Sequence, residues 1–421
     1  MRRRTRLAGA LIAAGALLGV LLAGCGFHSG GDTIAYLRGG QLWSVNPDGT
    51  GATALAGGGV VGFAWSPDHH QLVFRTTTGT LPAFSQQAAP PDAPGALNVT
   101  SADGGGTVTI TPVSAGLARG DAWWDASGNR LVYREGLPGG SVPIYVLSQS
   151  DQPVGIARLF LQGAGGLPAP APDGTQAAWV DVTGGLHLGK PGASGQVIAT
   201  GALLTVPEGR PARLLWQPGH HALLYDAQNG GGQIKLVLTD LSGHGQTVGT
   251  AAGLLDNAFS PDGSLLLVHT GAAFAVWRVG AAPAAVVYSW SESDPDALAW
   301  WSPDGRAILV RDQAGLELAD LGARATRPLL ATPAPVAAPG TPAAWQPLVS
   351  SPWSADSTRI VFTDPGTGMW QGRALPSASS GGGLYVAAIS GRATPQLLVS
   401  GAAAWPGWSV LDPSASLLVA S

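Results

Sequence analysis

The chain has 421 residues, of which 11% are charged and 45% are hydrophobic, and its formal net charge is −4 at pH 7. This slightly acidic balance provides no basic surface for phosphates and argues against a nucleic-acid-binding protein. The 62 glycines and 33 prolines indicate many turns, the 15 tryptophans indicate a packed core, and the single cysteine excludes a disulfide framework.

The first 25 residues have the layout of an export signal. Four arginines lie within residues 2–6, an uncharged apolar stretch covers residues 7–22, and the segment ends in Leu-Ala-Gly-Cys25. This ending resembles the lipobox of bacterial lipoproteins, which implies that residues 1–24 are removed and that Cys25 carries a diacylglycerol. The alternative is an uncleaved N-terminal anchor helix. If the signal is cleaved, residues 25–33 consist of the lipidated Cys25 and a short flexible tether. We expect the protein at the cell membrane, on its extracytoplasmic side.

A repeat of about fifty residues fills the rest of the chain. Three clear copies consist of an aromatic residue, Ser-Pro-Asp and an apolar run, and they begin at Trp65, Phe259 and Trp301. Pro and Asp at these positions favour a tight turn between two strands. A second pair of short strands follows each copy, so the sequence predicts four strands per repeat and little helix after the signal. Weaker copies begin at Trp124, Pro170, Trp216, Trp353 and Leu411.

The pattern Trp-Ser-Pro-Asp-Gly, an apolar strand and a polar turn resembles the WD40-like repeats of the TolB family over residues 34–421. The resemblance implies an all-β fold, a β-propeller of four-stranded blades. Eight copies imply eight blades, with seven as the alternative if the copy at Pro170 or Leu411 forms no blade. The two chain ends are expected to share one blade and close the ring. With its lipobox, the chain also resembles the propeller part of LpqB-type lipoproteins.

Three long insertions fall between the second and third strands of a blade or between blades: residues 78–96, 331–350 and 364–383. In a propeller these connections share one face, so we predict that this face binds a partner; the alternative is that the insertions are low-complexity spacers. Trp345, Trp370 and Arg373 on the insertions are candidate anchors, because Trp and Arg dominate interface hot spots. Packing of these side chains onto the ring is the alternative.

An acidic connection between blades adds further candidates to the predicted binding face. Trp290, Glu292, Asp294 and Asp296 lie within seven residues and suit a basic partner or a hard cation. The spacing is not that of a calcium loop, so solvated acidic residues on a turn are the alternative. Asp121, Glu208 and Asp256 are expected in comparable connections.

The remaining polar motifs are assigned to structure. The pairs His69-His70 and His220-His221 follow equivalent turns, so they are interpreted as turn residues, and no metal site is predicted. The Asp residues of the turns are expected to accept backbone hydrogen bonds, and the Trp residues at the marker position are expected in the core. These turn Asp residues are Asp68, Asp173, Asp262 and Asp304, and these Trp residues are Trp65, Trp124, Trp216, Trp301 and Trp353.

No catalytic motif occurs: the chain has no G-x-S-x-G, H-E-x-x-H or phosphate-binding glycine loop, so no catalytic residue and no cofactor is predicted. The leading hypothesis is a lipid-anchored, extracytoplasmic scaffold that binds an envelope protein or other ligand on the face with the insertions. The first alternative is a propeller enzyme, a hydrolase or lyase with a site in the central channel. The second, which the LpqB resemblance implies, is an accessory lipoprotein that modulates a membrane signalling system.

Overall fold

The computed structural model is all-β. The described residues form 33 strands in eight antiparallel sheets and no helix, as expected for a β-propeller. The count of eight blades stays a prediction. The structure describes residues 33–77, 95–111, 119–124, 130–135, 142–148, 158–164, 169–171, 175–190, 194–207, 212–280, 285–295, 297–331, 351–364, 367–376, 382–401 and 404–408.

Most sheets are built from four strands that are consecutive in the chain, each paired with the next. In chain order they are β4(Val60–Trp65), β5(Gln71–Thr77), β6(Gly95–Ser101) and β7(Thr107–Thr111); β8(Arg119–Trp124), β9(Arg130–Glu135), β10(Val142–Ser148) and β11(Arg158–Ala164); β12(Ala169–Pro170), β13(Ala177–Val180), β14(Gly185–Gly189) and β15(Gln196–Thr200); β16(Leu214–Trp216), β17(Ala222–Gln228), β18(Gln233–Asp240) and β19(Gly245–Ala252); and β20(Leu254–Phe259), β21(Leu265–Thr270), β22(Ala273–Arg278) and β23(Ala285–Ser291).

Three sheets depart from this plan. One has six strands, one has three, and one joins the two ends of the chain. Their members are β24(Leu298–Trp301), β25(Ala307–Asp312), β26(Gly315–Asp320), β27(Ala325–Ala331), β29(Met369–Trp370) and β30(Arg373–Ala374); β28(Arg359–Asp364), β31(Gly383–Ala388) and β32(Gln396–Ser400); and β1(Ile34–Arg38), β2(Gln41–Val45), β3(Thr53–Ala56) and β33(Ala404–Trp408).

The predicted Ser-Pro-Asp turn forms as a closed hydrogen-bonded unit. In the sheet of β24, the Ser302 hydroxyl donates to Asp304 at 2.6 Å and accepts the backbone N–H of Ala307 at 2.9 Å. Gly305 has a φ of 69°, in the left-handed region that glycine adopts at least cost. His69 occupies the same place in its own turn with a φ of 61°, which confirms its interpretation as a turn residue. Asp173 lies outside the described residues, and the same Ser-to-Asp bond recurs at Ser66, Ser260 and Ser354.

The marker tryptophans are buried, as predicted, and several of them link neighbouring sheets. The indole N–H of Trp301 donates to the carbonyl oxygen of Ala258, the residue before the marker of the preceding sheet. Burying an indole with its donor satisfied favours one arrangement of the two sheets. The same bond runs from Trp216 to Ala169, from Trp353 to Trp300 and from Trp65 to Gly407.

Strand β33 closes the ring by pairing with β1. Ile34 lies opposite Trp408 and Ala35 opposite Gly407, so the two ends of the chain share one sheet, as predicted. Because the indole of Trp65 bonds to Gly407, the marker position of this sheet belongs to Trp408 and not to Leu411.

The hydrophobic core lies between adjacent sheets. Alternate residues of β25 point to opposite sides: Ile308 and Val310 pack with the sheet of β20, and Leu309 packs with that of β28. Both faces of a sheet are therefore covered, which explains why the second strand of each repeat is a continuous apolar run. The sheets consequently hold their strand ends, and the connections that leave them, in fixed positions.

Candidate functional site

The fold has two chemically different ends. We call the end with the Ser-Pro-Asp turns and the turns between third and fourth strands the turn face. The opposite end, with the turns between second and third strands and the connections between sheets, is the loop face. Because strands in each sheet are antiparallel, each type of connection recurs at the same end.

A group of polar residues joins two neighbouring sheets at the loop face. Arg213 directly precedes β16, and its Nε lies 2.7 Å from Oδ1 of Asp256 on β20 of the next sheet. Asp226 on β17 accepts the backbone N–H of Arg213 at 3.0 Å and the side-chain N–H of Asn257 at 3.3 Å. We call these four residues the inter-sheet cluster. It fixes the relative position of the two sheets where the connections emerge.

Burial dominates the electrostatics of the inter-sheet cluster. Asp226 is 2% exposed, and its burial raises the pKa of its carboxyl group to about 6, although the backbone N–H and the charge of Arg213 act in the opposite direction. The guanidinium of Arg213 is directed to Asp256, so Asp226 receives hydrogen bonds without a direct ion pair. The carboxyl group of Asp226 therefore gains or loses its proton near pH 6.

The next sheet boundary carries aromatic and acidic groups. His269 on β21 is buried and stacks on Phe274 at 4.1 Å, and Phe274 stacks on Trp290 at 5.3 Å. Burial raises the pKa of Glu292, whose Oε1 accepts the backbone N–H of Asp294 at 2.7 Å, and the nearby charges of Asp294 and Asp312 act in the same direction. Glu292 of the acidic connection therefore lies against the sheets, whereas Ser293 is exposed.

A third boundary brings together Arg311 on β25 and Asp364 at the end of β28. Burial lowers the pKa of Arg311, and the negative charge of Asp364 opposes that shift. Asp364 itself accepts the backbone N–H groups of Thr367 and Gly368, both at 2.9 Å. The carboxylate thus fixes the backbone of Thr367 and Gly368 in the insertion 364–383.

Four polar residues of these sheets share one position in the repeat, which was not predicted above. Each lies ten residues after a marker aromatic, on the second strand near the loop face. The signal was present in the sequence, because charged residues interrupt an apolar run at a fixed distance from the marker. The residues are Arg75, Asp226, His269 and Arg311.

The candidate binding residues predicted from the sequence fall into different environments. Trp290 is 9% exposed and Trp370 is 2% exposed, and Trp370 stacks on Phe362 at 5.3 Å, so both rings contribute to the core. Glu292 is buried, Asp294 is half-buried and accepts the backbone N–H of Gln313 at 3.0 Å, and Arg373 is exposed. Asp296, Trp345 and Cys25 lie outside the described residues. The binding face itself stays a prediction.

Part of the insertion 364–383 forms a hairpin that extends a neighbouring sheet. Strand β29 pairs with β27, with Trp370 opposite Leu330 and Met369 opposite Ala331, and β30 follows at the edge. The insertion 331–350 begins at the end of β27, the strand with which β29 pairs, and its residues 332–350 lie outside the described residues. The insertion 78–96 lies almost entirely outside the described residues.

Other predicted loop residues are also placed. Asp121 and Asp256 belong to first strands, β8 and β20, near the loop face, whereas Glu208 is outside the described residues. Within the described parts of the chain, no group of three His, Cys, Asp or Glu side chains could hold a metal ion. Those parts also contain no helix that is long and apolar enough to cross a membrane.

Comparison with known proteins supports the fold. No family model and no curated protein matches the chain. A crystal structure of a eukaryotic initiation factor is similar over 91% of this chain and 99% of its own, with a TM-score of 0.50 and 11% identity. The β-propeller domain of Cps50 (Swd1) from Myceliophteria thermophila covers 64% of this chain and 86% of its own, with a TM-score of 0.44 and 11% identity.

Oligogalacturonate lyase from Vibrio parahaemolyticus is similar over 64% of this chain and 79% of its own, with a TM-score of 0.45 and 15% identity. At such identities the similarity concerns the fold alone, because propellers of one architecture serve many functions.

Proposed function

We propose that this protein is a lipid-anchored, extracytoplasmic scaffold that binds a protein or other ligand of the bacterial cell envelope through its loop face. The observation that carries the proposal is the difference between the two ends of the propeller. The turn face repeats one self-contained turn from sheet to sheet, whereas the loop face gathers charged residues from four successive sheets and the hairpin of the insertion 364–383. Non-repeating connections on a rigid framework are where binding residues concentrate.

The anchor follows from the N-terminal sequence. An arginine-rich start, an apolar stretch and Leu-Ala-Gly-Cys25 support lipidation of Cys25 and attachment to the cell membrane. A serine has no thiol to accept the lipid, so Cys25→Ser is expected to move the protein from the membrane fraction to the soluble fraction. Mass spectrometry of the N-terminal peptide of the mature parent checks the modification.

Binding is tested by crosslinking in cells followed by purification of the intact lipoprotein. Arg373→Glu reverses an exposed charge on the loop face, and Arg306→Glu is the matched control, because Arg306 is equally exposed but lies on the turn face. We expect one envelope protein to be captured by the parent and by the control, and to be lost with Arg373→Glu. Capture by all three proteins, or by none, would count against the loop face.

A second candidate function, a hydrolase or lyase, is favoured by one observation. Asp226 and Arg213 place an acid and a cation together, the pKa of Asp226 is raised by burial to about 6, and the buried Oδ1 of Asn257 has no hydrogen-bond partner among the described residues. Incubation with peptide and glycan panels tests this function. If the parent turns over a substrate and a folded Asp226→Asn variant does not, the result supports an enzyme. If neither protein turns over any substrate, the result supports the scaffold.

A further inference from the structure

The direction of β1 determines where the chain enters the propeller. Ile34, its first residue, lies opposite both Trp408 and Val45. Val45 leads directly into the turn 46–50, which the backbone hydrogen bond from Asn46 to Thr50 closes. Trp408 holds the marker position, which in the other sheets precedes the Ser-Pro-Asp turn. The chain therefore enters the propeller at the turn face.

The distance from the lipid attachment site to this point is short. Eight peptide units separate Cys25 from Thr33, and eight fully extended units span at most about 28 Å. To place the loop face on a bilayer, this segment must pass β2 and β3, at about 5 Å per strand, and then the height of a sheet, about 20 Å for a six-residue strand. That path is about 30 Å long, which is as long as the fully extended segment.

We infer that the turn face lies toward the bilayer that holds the lipid on Cys25, and that the loop face is directed away from it. The inference rests on the proposed lipidation of Cys25. It assigns a lipid surface to one end of the propeller and leaves the other end free for the envelope ligand.

The chemistry of the turn face suits the hydrated headgroup region of a bilayer. The carboxylates of its turns are engaged by their own chain; Asp262, for example, accepts the backbone N–H of Ser264 at 3.0 Å. Exposed residues of both charges and of polar character alternate there, including Asp304, Arg306, Asp356 and Thr358. The exposed large hydrophobic residues of the described chain all lie outside the Ser-Pro-Asp turns. Such a surface can rest over headgroups, and its exposed large hydrophobic residues, Val108, Val197 and Val286, lie at the starts of the fourth strands β7, β15 and β23.

The orientation is tested with two single-cysteine reporters at opposite ends of β25. Arg306→Cys lies at the turn face and Ala314→Cys at the loop face, and both positions are exposed. The full-length lipoprotein is purified with its lipid, labelled with a fluorescent donor, and reconstituted into vesicles of phosphatidylethanolamine and phosphatidylglycerol that contain a headgroup-labelled acceptor lipid. The protein without an added cysteine controls for labelling at Cys25.

We expect energy transfer from position 306 to exceed that from position 314 about twofold or more, because the strand separates the two sites by about 20 Å. Equal transfer from both positions, or stronger transfer from position 314, in protein that remains on the vesicles overturns the orientation alone. No transfer from either position, with the protein left in solution, overturns the anchor and the orientation with it.

Discussion

Arg213 and Asp256 form an ion pair across the boundary between two neighbouring sheets. Nε of Arg213 lies 2.7 Å from Oδ1 of Asp256, and its Nη2 lies 3.0 Å from Oδ2, so the guanidinium contacts both oxygens of the carboxylate. The side chains are only 9% and 18% exposed. A two-point pair of this kind fixes both distance and orientation. It therefore holds the loop-face ends of two sheets in register.

Removing one partner of this pair is expected to destabilise the protein. Arg213→Met should lower the free energy of unfolding by about 3 kcal/mol, because it leaves the carboxylate of Asp256 largely buried without its cation. Urea denaturation measures the change. Arg306→Met, at an exposed position on the turn face, is the control and should stay within about 0.5 kcal/mol of the parent. Adding Asp256→Asn to Arg213→Met should cost less than the sum of the single changes; strict additivity would show that the pair contributes no coupling.

Asp226 should make stability depend on pH in a direction opposite to that of most carboxylates. Its folded-state pKa is raised to about 6 from a reference of 3.8, so the folded protein binds a proton that the unfolded chain does not bind between these values. Stability therefore rises as pH falls from 7 toward 4, by about 3 kcal/mol from this group. Carboxylates whose pKa is lowered, such as Asp240, act in the opposite direction, so the test is the difference between two proteins. In urea denaturation at several pH values, the stability of the parent relative to Asp226→Asn should rise as pH falls from 7 toward 4. Identical pH profiles for the two proteins would contradict the assignment.

The indole hydrogen bonds between sheets should make a measurable contribution to the stability of the protein. Trp301→Phe removes the donor to the Ala258 carbonyl and leaves that oxygen without its partner, in addition to the loss of ring volume. Trp370→Phe is the matched control, because Trp370 is also buried but its Nε1 has no hydrogen-bond partner among the described residues. We expect the thermal unfolding data for Trp301→Phe to show an extra loss of about 1 kcal/mol. An equal loss of stability in both variants would mean that the hydrogen bond contributes nothing and that only the loss of ring volume lowers stability.

The buried serine of the repeated turn should matter more than an exposed one. Ser302→Ala removes the acceptor of the Ala307 N–H and the donor to Asp304, so it should cost about 1–3 kcal/mol in chemical denaturation. Ser264→Ala removes only bonds to Asp262 at an exposed position and should stay within about 0.5 kcal/mol of the parent. The opposite ranking would contradict the role assigned to Ser302.

The fold could be predicted because its determinants are local in sequence. The Ser-Pro-Asp turn, the marker aromatic and the apolar second strand recur within about fifteen residues, and each produces the same hairpin wherever it occurs. The closing sheet was also predictable from the strands left without partners at the chain ends. The marker of that sheet was wrongly placed at Leu411, since the repeat there is degenerate and only the bond from Trp65 to Gly407 identifies Trp408.

The candidate site was less predictable, because it depends on contacts between sheets. Arg213 and Asp256 are 43 residues apart, and only the propeller arrangement brings them together. The acidic connection could be located, but the burial of Trp290 and Glu292 depends on Phe274 and on the neighbouring sheet. The addition of the hairpin at Trp370 to β27 likewise joins distant segments, and no local pattern specifies it.

Binding at the loop face can be tested by site-specific photo-crosslinking in cells. A photoreactive residue is placed at exposed loop-face positions, Ser293 and Gln313, and at exposed turn-face positions, Ser264 and Thr358. If the loop face is the binding face, one envelope component is crosslinked from Ser293 and Gln313 and is not crosslinked from the two turn-face positions. Crosslinking of that component from Ser264 or Thr358, with none from the loop face, would contradict it.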